Sequence, residues 1–191
     1  MTPQEYSLLS RLVSGCATWK NYVTTLLQNP QIVNTSNYAC VLSTTTQASG
    51  GITVANKVLL DTIDTINGIS IVNNEVVFSN SGQYLINWLG QFRFTGGTSN
   101  TNITTWYTVN GVAAPNSSYT FTLPSTAQGI QLLTNVEDIN SINAGDRVAF
   151  YWWSDVAPSG NNGIQLTYTA AGTNPTRPAS PSAKISISQL N

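Results

Sequence analysis

Gly82-Gln83-Tyr84-Leu85-Ile86-Asn87-Trp88-Leu89-Gly90-Gln91-Phe92-Arg93-Phe94 is the stretch that decides the fold. From Tyr84 its even positions carry Tyr, Ile, Trp, Gly, Phe and Phe. Its odd positions mix Gln, Leu, Asn, Leu, Gln and Arg. Alternation with period 2 marks a β-strand with one apolar face. Leu85 and Leu89 keep the second face from being simply polar, which predicts a neighbour on each side. The natural companion is Arg147-Val148-Ala149-Phe150-Tyr151-Trp152-Trp153. Val148, Phe150 and Trp152 face one way there, and Ala149, Tyr151 and Trp153 the other. With both faces apolar, this stretch predicts a central strand covered on both sides.

Outward from these two, short β-type runs alternate with turn residues at the spacing of a sandwich or barrel. Tyr38 to Leu42 is a possible first strand, and Thr44 to Gly51 reads as a loop or linker. Strands are expected at Lys57 to Asp61, Ile69 to Val72, Glu75 to Phe78, Ile103 to Val109, Tyr119 to Leu123 and Ile130 to Val136. Ile164 to Tyr168 and Ile185 to Gln189 complete about ten strands. Asn73-Asn74 and Asn110-Gly111 are tight hairpin connections, since Asn and Gly tolerate positive φ. Ala144-Gly145-Asp146 is a turn, and residues 172–183, rich in proline, read as irregular. No fixed-period repeat is visible, which argues against a propeller or solenoid.

Residues 2–28 are the one helical candidate. Thr2 and Glu5 form a capping box, and Pro3 takes the favoured first helical position. Leu9, Leu12, Cys16, Trp19, Val23 and Leu26 follow an a/d heptad spacing. Two arrangements fit this seam: a short coiled coil that joins copies, or an amphipathic helix lying on its own domain or on a partner. Gly15 and the threonines weaken the helix, and Pro30 ends it. The expected organisation is an N-terminal helical arm and linker over residues 1–45, followed by a sandwich over 46–191.

Composition narrows the function classes. Of 191 residues only 8% are charged, against roughly 25% in an ordinary soluble domain. Asn, Thr and Ser fill the polar positions, as expected of a protein held in an assembly, where few charges need desolvation. The formal net charge is −1 and the seven Lys and Arg are scattered, so nucleic-acid binding by phosphate neutralisation is not expected. No run of 18 apolar residues predicts a membrane span. No charged and then apolar N-terminal pattern predicts a signal peptide. Cys16 and Cys40 make no disulfide framework and read as free thiols.

Catalytic and cofactor chemistry is not expected either. The chain has no histidine, which removes His-activated nucleophiles and the commonest metal ligand. Asp61 with Asp64, and Glu137 with Asp138, are the paired carboxylates, but neighbours on a strand point to opposite faces. They read as turn, capping or surface residues. No metal site or cofactor is predicted. The concentration of Trp and Tyr on a few strands suits core and interface packing, or a stacking platform.

From about residue 44 onward the chain resembles the jelly roll of the C1q/TNF-like superfamily, in the form met in tailed-bacteriophage structural proteins. The resemblance rests on ordered words: Asn80-Ser81-Gly82-Gln83-Tyr84 before the long strand, Trp106-Tyr107-Thr108-Val109-Asn110-Gly111 with Asn116-Ser117-Ser118, Ala144-Gly145-Asp146-Arg147-Val148, and Ile185-Ser186-Ile187-Ser188-Gln189-Leu190 at the close. It implies a compact homotrimer around a three-fold axis, with Leu85, Leu89, Ala149, Tyr151 and Trp153 at the subunit interface. It also implies a non-enzymatic virion protein, made in the host cytoplasm, that decorates or cements a phage head by binding the major capsid protein. The alternative is a fibre or spike head that binds a receptor or surface glycan through Trp and Tyr, with loops 95–102, 112–118 and 156–163 forming the site.

Overall fold

A computed structural model describes residues 37–95, 100–124, 131–156 and 163–190, with the backbone alone for 131–133. Within them sixteen strands form and no helix. The six heptad positions Leu9 to Leu26, and the arm they belong to, lie outside the described residues. The strands are β1 (Tyr38–Ser43), β2 (Gln47–Ala48), β3 (Asn56–Lys57), β4 (Thr62–Asn67), β5 (Ile69–Val72), β6 (Glu75–Phe78), β7 (Gly82–Phe94) and β8 (Thr101–Val109). They continue as β9 (Val112–Ala113), β10 (Tyr119–Leu123), β11 (Gln131–Ile142), β12 (Arg147–Ser154), β13 (Ile164–Leu166), β14 (Gly172–Thr173), β15 (Thr176–Arg177) and β16 (Ala183–Leu190).

Two seven-stranded sheets pack face to face. Sheet A runs β2-β13-β7-β16-β1-β4, with β11 pairing β7. Strands β16 and β11 pair with the same β7 residues, so they occupy opposite edges of it, and β11 is an outer strand. Sheet B runs β10-β8-β12-β6-β5, with β3 on β12 and β9 on β8. The 13-residue β7 has the expected bounds, and its inward row Tyr84, Ile86, Trp88, Phe92 and Phe94 is buried. From β12, Val148, Phe150 and Trp152 meet that row across the sandwich. Trp88 lies 5.7 Å from Phe150 and Phe92 lies 5.5 Å from Trp152, centroid to centroid. Companions they are, but through the core and from different sheets. Gly90 belongs to the inward row because a Cβ there would come within 2.9 Å of the Phe92 ring.

Both tight hairpins form as expected. Asn73 and Asn74 take φ of 53° and 61°, and Asn110 and Gly111 take 52° and 80°, the positive pair of a type I′ turn. Four expectations are corrected. Strand β1 is an interior strand of sheet A, between β16 and β4, and the compact unit begins at Ser36, so the sandwich starts before residue 46. Residues 58–61 are a crossover and not a strand. Val58 N–H bonds Phe150 in sheet B, Asp61 N–H bonds Leu42 in sheet A, and Val58 and Leu60 plug the end of the core. The alternation there came from burial without sheet pairing. The count also rises from about ten to sixteen, chiefly through two-residue strands such as β2, β3 and β9. Their partners impose these pairings, and two residues show no periodicity. In residues 172–183, β14 and β15 pair as a small hairpin.

Candidate interaction faces

The five residues expected at one interface divide between the two outer faces. Leu85 and Leu89 project from sheet A; Ala149, Tyr151 and Trp153 project from sheet B, on the opposite side of the sandwich. Ala149 is also only 3% exposed within the single chain, which removes it as a contact residue. The sequence could not show this, because sheet membership depends on pairings far apart in the chain.

Register rows define the outer face of sheet A. One row is Ile139, Leu85, Ser188 and Tyr38; the next is Glu137, Asn87, Ser186 and Cys40; a third is Asn135, Leu89, Lys184 and Leu42. Ile139 is 59% and Tyr38 44% exposed, large values for such side chains. Leu85, Asn87, Leu89, Lys184, Ser186 and Ser188 line a groove of about 320 Å³. Charge is sparse here. Glu137 accepts from the Asn87 amide at 3.3 Å, and Lys184 is exposed. Burial pushes the Cys40 thiol up, against the pull of Lys184, with Asp64 adding to the rise. Cys40 is a free thiol.

Sheet B presents aromatic rings outward. Trp106 on β8 and Tyr151 on β12 are register partners and stack with centroids 5.7 Å apart and planes at 13°. The Trp153 indole N–H donates to the Ile52 carbonyl at 2.6 Å. At one end Glu75 accepts from Lys57 at 2.8 Å, with Arg147 3.6 Å away. The Lys57 hydrogen bond holds the Glu75 carboxyl below its usual range. At the other end Asp155 accepts from the Asn102 backbone and side chain at 2.8 and 2.7 Å.

A third cluster was not foreseen. The Tyr107 hydroxyl donates to Asp138 and accepts from the Asn140 amide. Burial, then the Asp138 hydrogen bond, pushes this hydroxyl above its ordinary value. It is a poor acid and serves as a clasp between β8 of sheet B and β11 of sheet A. Asp138 turns inward while Glu137 is exposed, the opposed arrangement expected of strand neighbours. Asp61 accepts from the backbone and hydroxyl of Thr44 and the hydroxyl of Thr45. Burial opposes its ionisation, yet these bonds outweigh it and its carboxyl lies below the usual range. Among the described residues no three His, Cys, Asp or Glu converge as a metal site. Of the loops expected to read a receptor, 96–99 and 157–162 lie outside the described residues.

No protein-family model matches the chain, and no curated protein matches it. Solved structures do. The crystal structure of murine APRIL at pH 5.0 is similar with a TM-score of 0.51 at 11% identity, covering 81% of this chain and 99% of that one. The described residues therefore share the overall fold of that structure, a two-sheet all-β sandwich.

Proposed function

We propose that the protein is a non-enzymatic virion component, a homotrimeric jelly roll that decorates or cements a phage head. The observation that carries the trimer is the outer face of sheet A. Ile139, Leu85 and Tyr38 lie there in one register row, with Leu89 beside them and few charges. An apolar face that water would otherwise cover is a contact face, and closed cyclic symmetry is the usual form of a homo-oligomer. Leu85 and Leu89 keep their interface role in this proposal, whereas Tyr151 and Trp153 face away from the axis. The capsid assignment draws on the phage-type words of the sequence and on its low charge. Three N-terminal arms on one trimer bind three capsid subunits, so modest contacts add through effective concentration.

Deleting residues 1–30 tests the arm, because β1 begins only at Tyr38. The truncated protein is expected to remain a folded trimer and to lose binding to purified capsids in co-sedimentation. Undiminished capsid binding would sink the arm assignment.

A further inference from the structure

The outer face of sheet B points away from the proposed subunit contact, and its aromatic row has a use of its own. Trp106, Tyr151 and Trp153 are each half-buried, so each keeps ring surface open to solvent. Their orientations are set in advance: Trp106 and Tyr151 brace each other by stacking, and the Trp153 indole is anchored to the Ile52 carbonyl. Rings already ordered lose little entropy when a ligand settles on them. Beside them lie neutral hydroxyls. Thr104 and Thr120 share a hydrogen bond of 2.8 Å, and Thr122 donates to Asn102 at 2.6 Å.

The charges on this face are already engaged. Lys57 and Arg147 face Glu75, and Asp155 is held by Asn102. Lys57 apart, which stands beside Tyr151, the strip offers ring faces and neutral hydroxyl groups. A nucleic acid or a phosphorylated ligand needs free cations along its backbone, and the cation in this strip, Lys57 beside Tyr151, is already held by Glu75. A pyranose chain presents what the strip complements: apolar C–H faces for the rings and neutral hydroxyls for the threonines.

We infer that the outer face of sheet B is a binding site for a neutral hexopyranose chain, seated on Trp106, Tyr151 and Trp153. The site goes beyond the capsid role and uses none of the loops that the sequence offered for receptor binding. It is independent of the trimer contact, which lies on sheet A.

Maltohexaose, cellohexaose and chitohexaose are the probes, titrated into the full chain with tryptophan fluorescence and saturation-transfer NMR as readouts. At least one should bind with a Kd in about the millimolar range. Trp106→Ala and Trp153→Ala should each weaken that binding by on the order of tenfold. Trp106→Phe, which keeps a ring, should bind within a few-fold of the parent and guards against a folding artefact. Absence of binding by all three probes overturns the inference, as does binding that neither alanine variant weakens. Capture of a capsid protein by this face, with no sugar bound, would assign it to a protein partner and overturn it equally.

Discussion

Tyr107 on β8 and Asp138 on β11 are joined by a hydrogen bond of 2.5 Å that crosses from one sheet to the other. It closes the side of the sandwich where β10 and β11 are the outer strands, and Asn140 completes it. Removing the hydroxyl in Tyr107→Phe leaves a half-buried carboxylate and an amide without their shared partner. The expected cost is about 1–3 kcal/mol, read as a lower denaturation midpoint at unchanged slope. An unchanged midpoint would show that the clasp adds nothing.

The same hydroxyl makes a pH prediction. Its folded pKa lies above its ordinary value, through burial and the Asp138 bond. The unfolded chain releases this proton near pH ~10 while the folded chain keeps it. The stabilisation is therefore full below about pH 10 and declines as pH rises toward the folded value. Tyr107→Phe should lose stability less steeply over that alkaline window than the parent. Parallel curves for the two proteins would contradict the linkage.

Asp61 gives the opposite sign. Its folded pKa is lowered despite burial, by hydrogen bonds from Thr44 and Thr45. Its contribution is present above the unfolded carboxyl value of about 4 and is lost as pH falls. In Asp61→Asn that part of the acid dependence should vanish, which acid titration followed by circular dichroism would register.

Gly90 tests the packing of the inward row. A Cβ there would crowd the Phe92 ring at 2.9 Å and Leu166 at 3.3 Å. Gly90→Val should cost roughly 1–3 kcal/mol. For a domain of this size each kcal/mol lowers Tm by about 2–4 °C. A Tm equal to the parent's would mean that the core has slack that the geometry does not show.

What the sequence made legible was local. The bounds of β7, the two Asn-containing hairpins and the inward rows of β7 and β12 follow from alternation and turn chemistry within a few residues. The clasp was illegible because Asp138 and Asn140 interrupt the apolar alternation of β11, which hid the strand beyond Val136. Their partner, Tyr107, is 31 residues from Asp138 in the chain. The division of Leu85 and Leu89 from Tyr151 and Trp153 was illegible for a related reason. Both strands have an apolar second face, and only the long-range pairing of β7 with β16, and of β12 with β8, shows that these faces point apart. The crossover at 58–61 imitates a strand because its alternate residues are buried at the sandwich end.

The proposed trimer is held through the outer face of sheet A. Light scattering coupled to size exclusion on the wild-type chain and on Leu89→Glu tests it most directly. The wild type should have the mass of three chains and Leu89→Glu that of one folded chain, because the new carboxylate, even with Lys184 beside it in the register row, would have to be desolvated in the contact. A wild-type monomer, or a variant that remains trimeric, would contradict it.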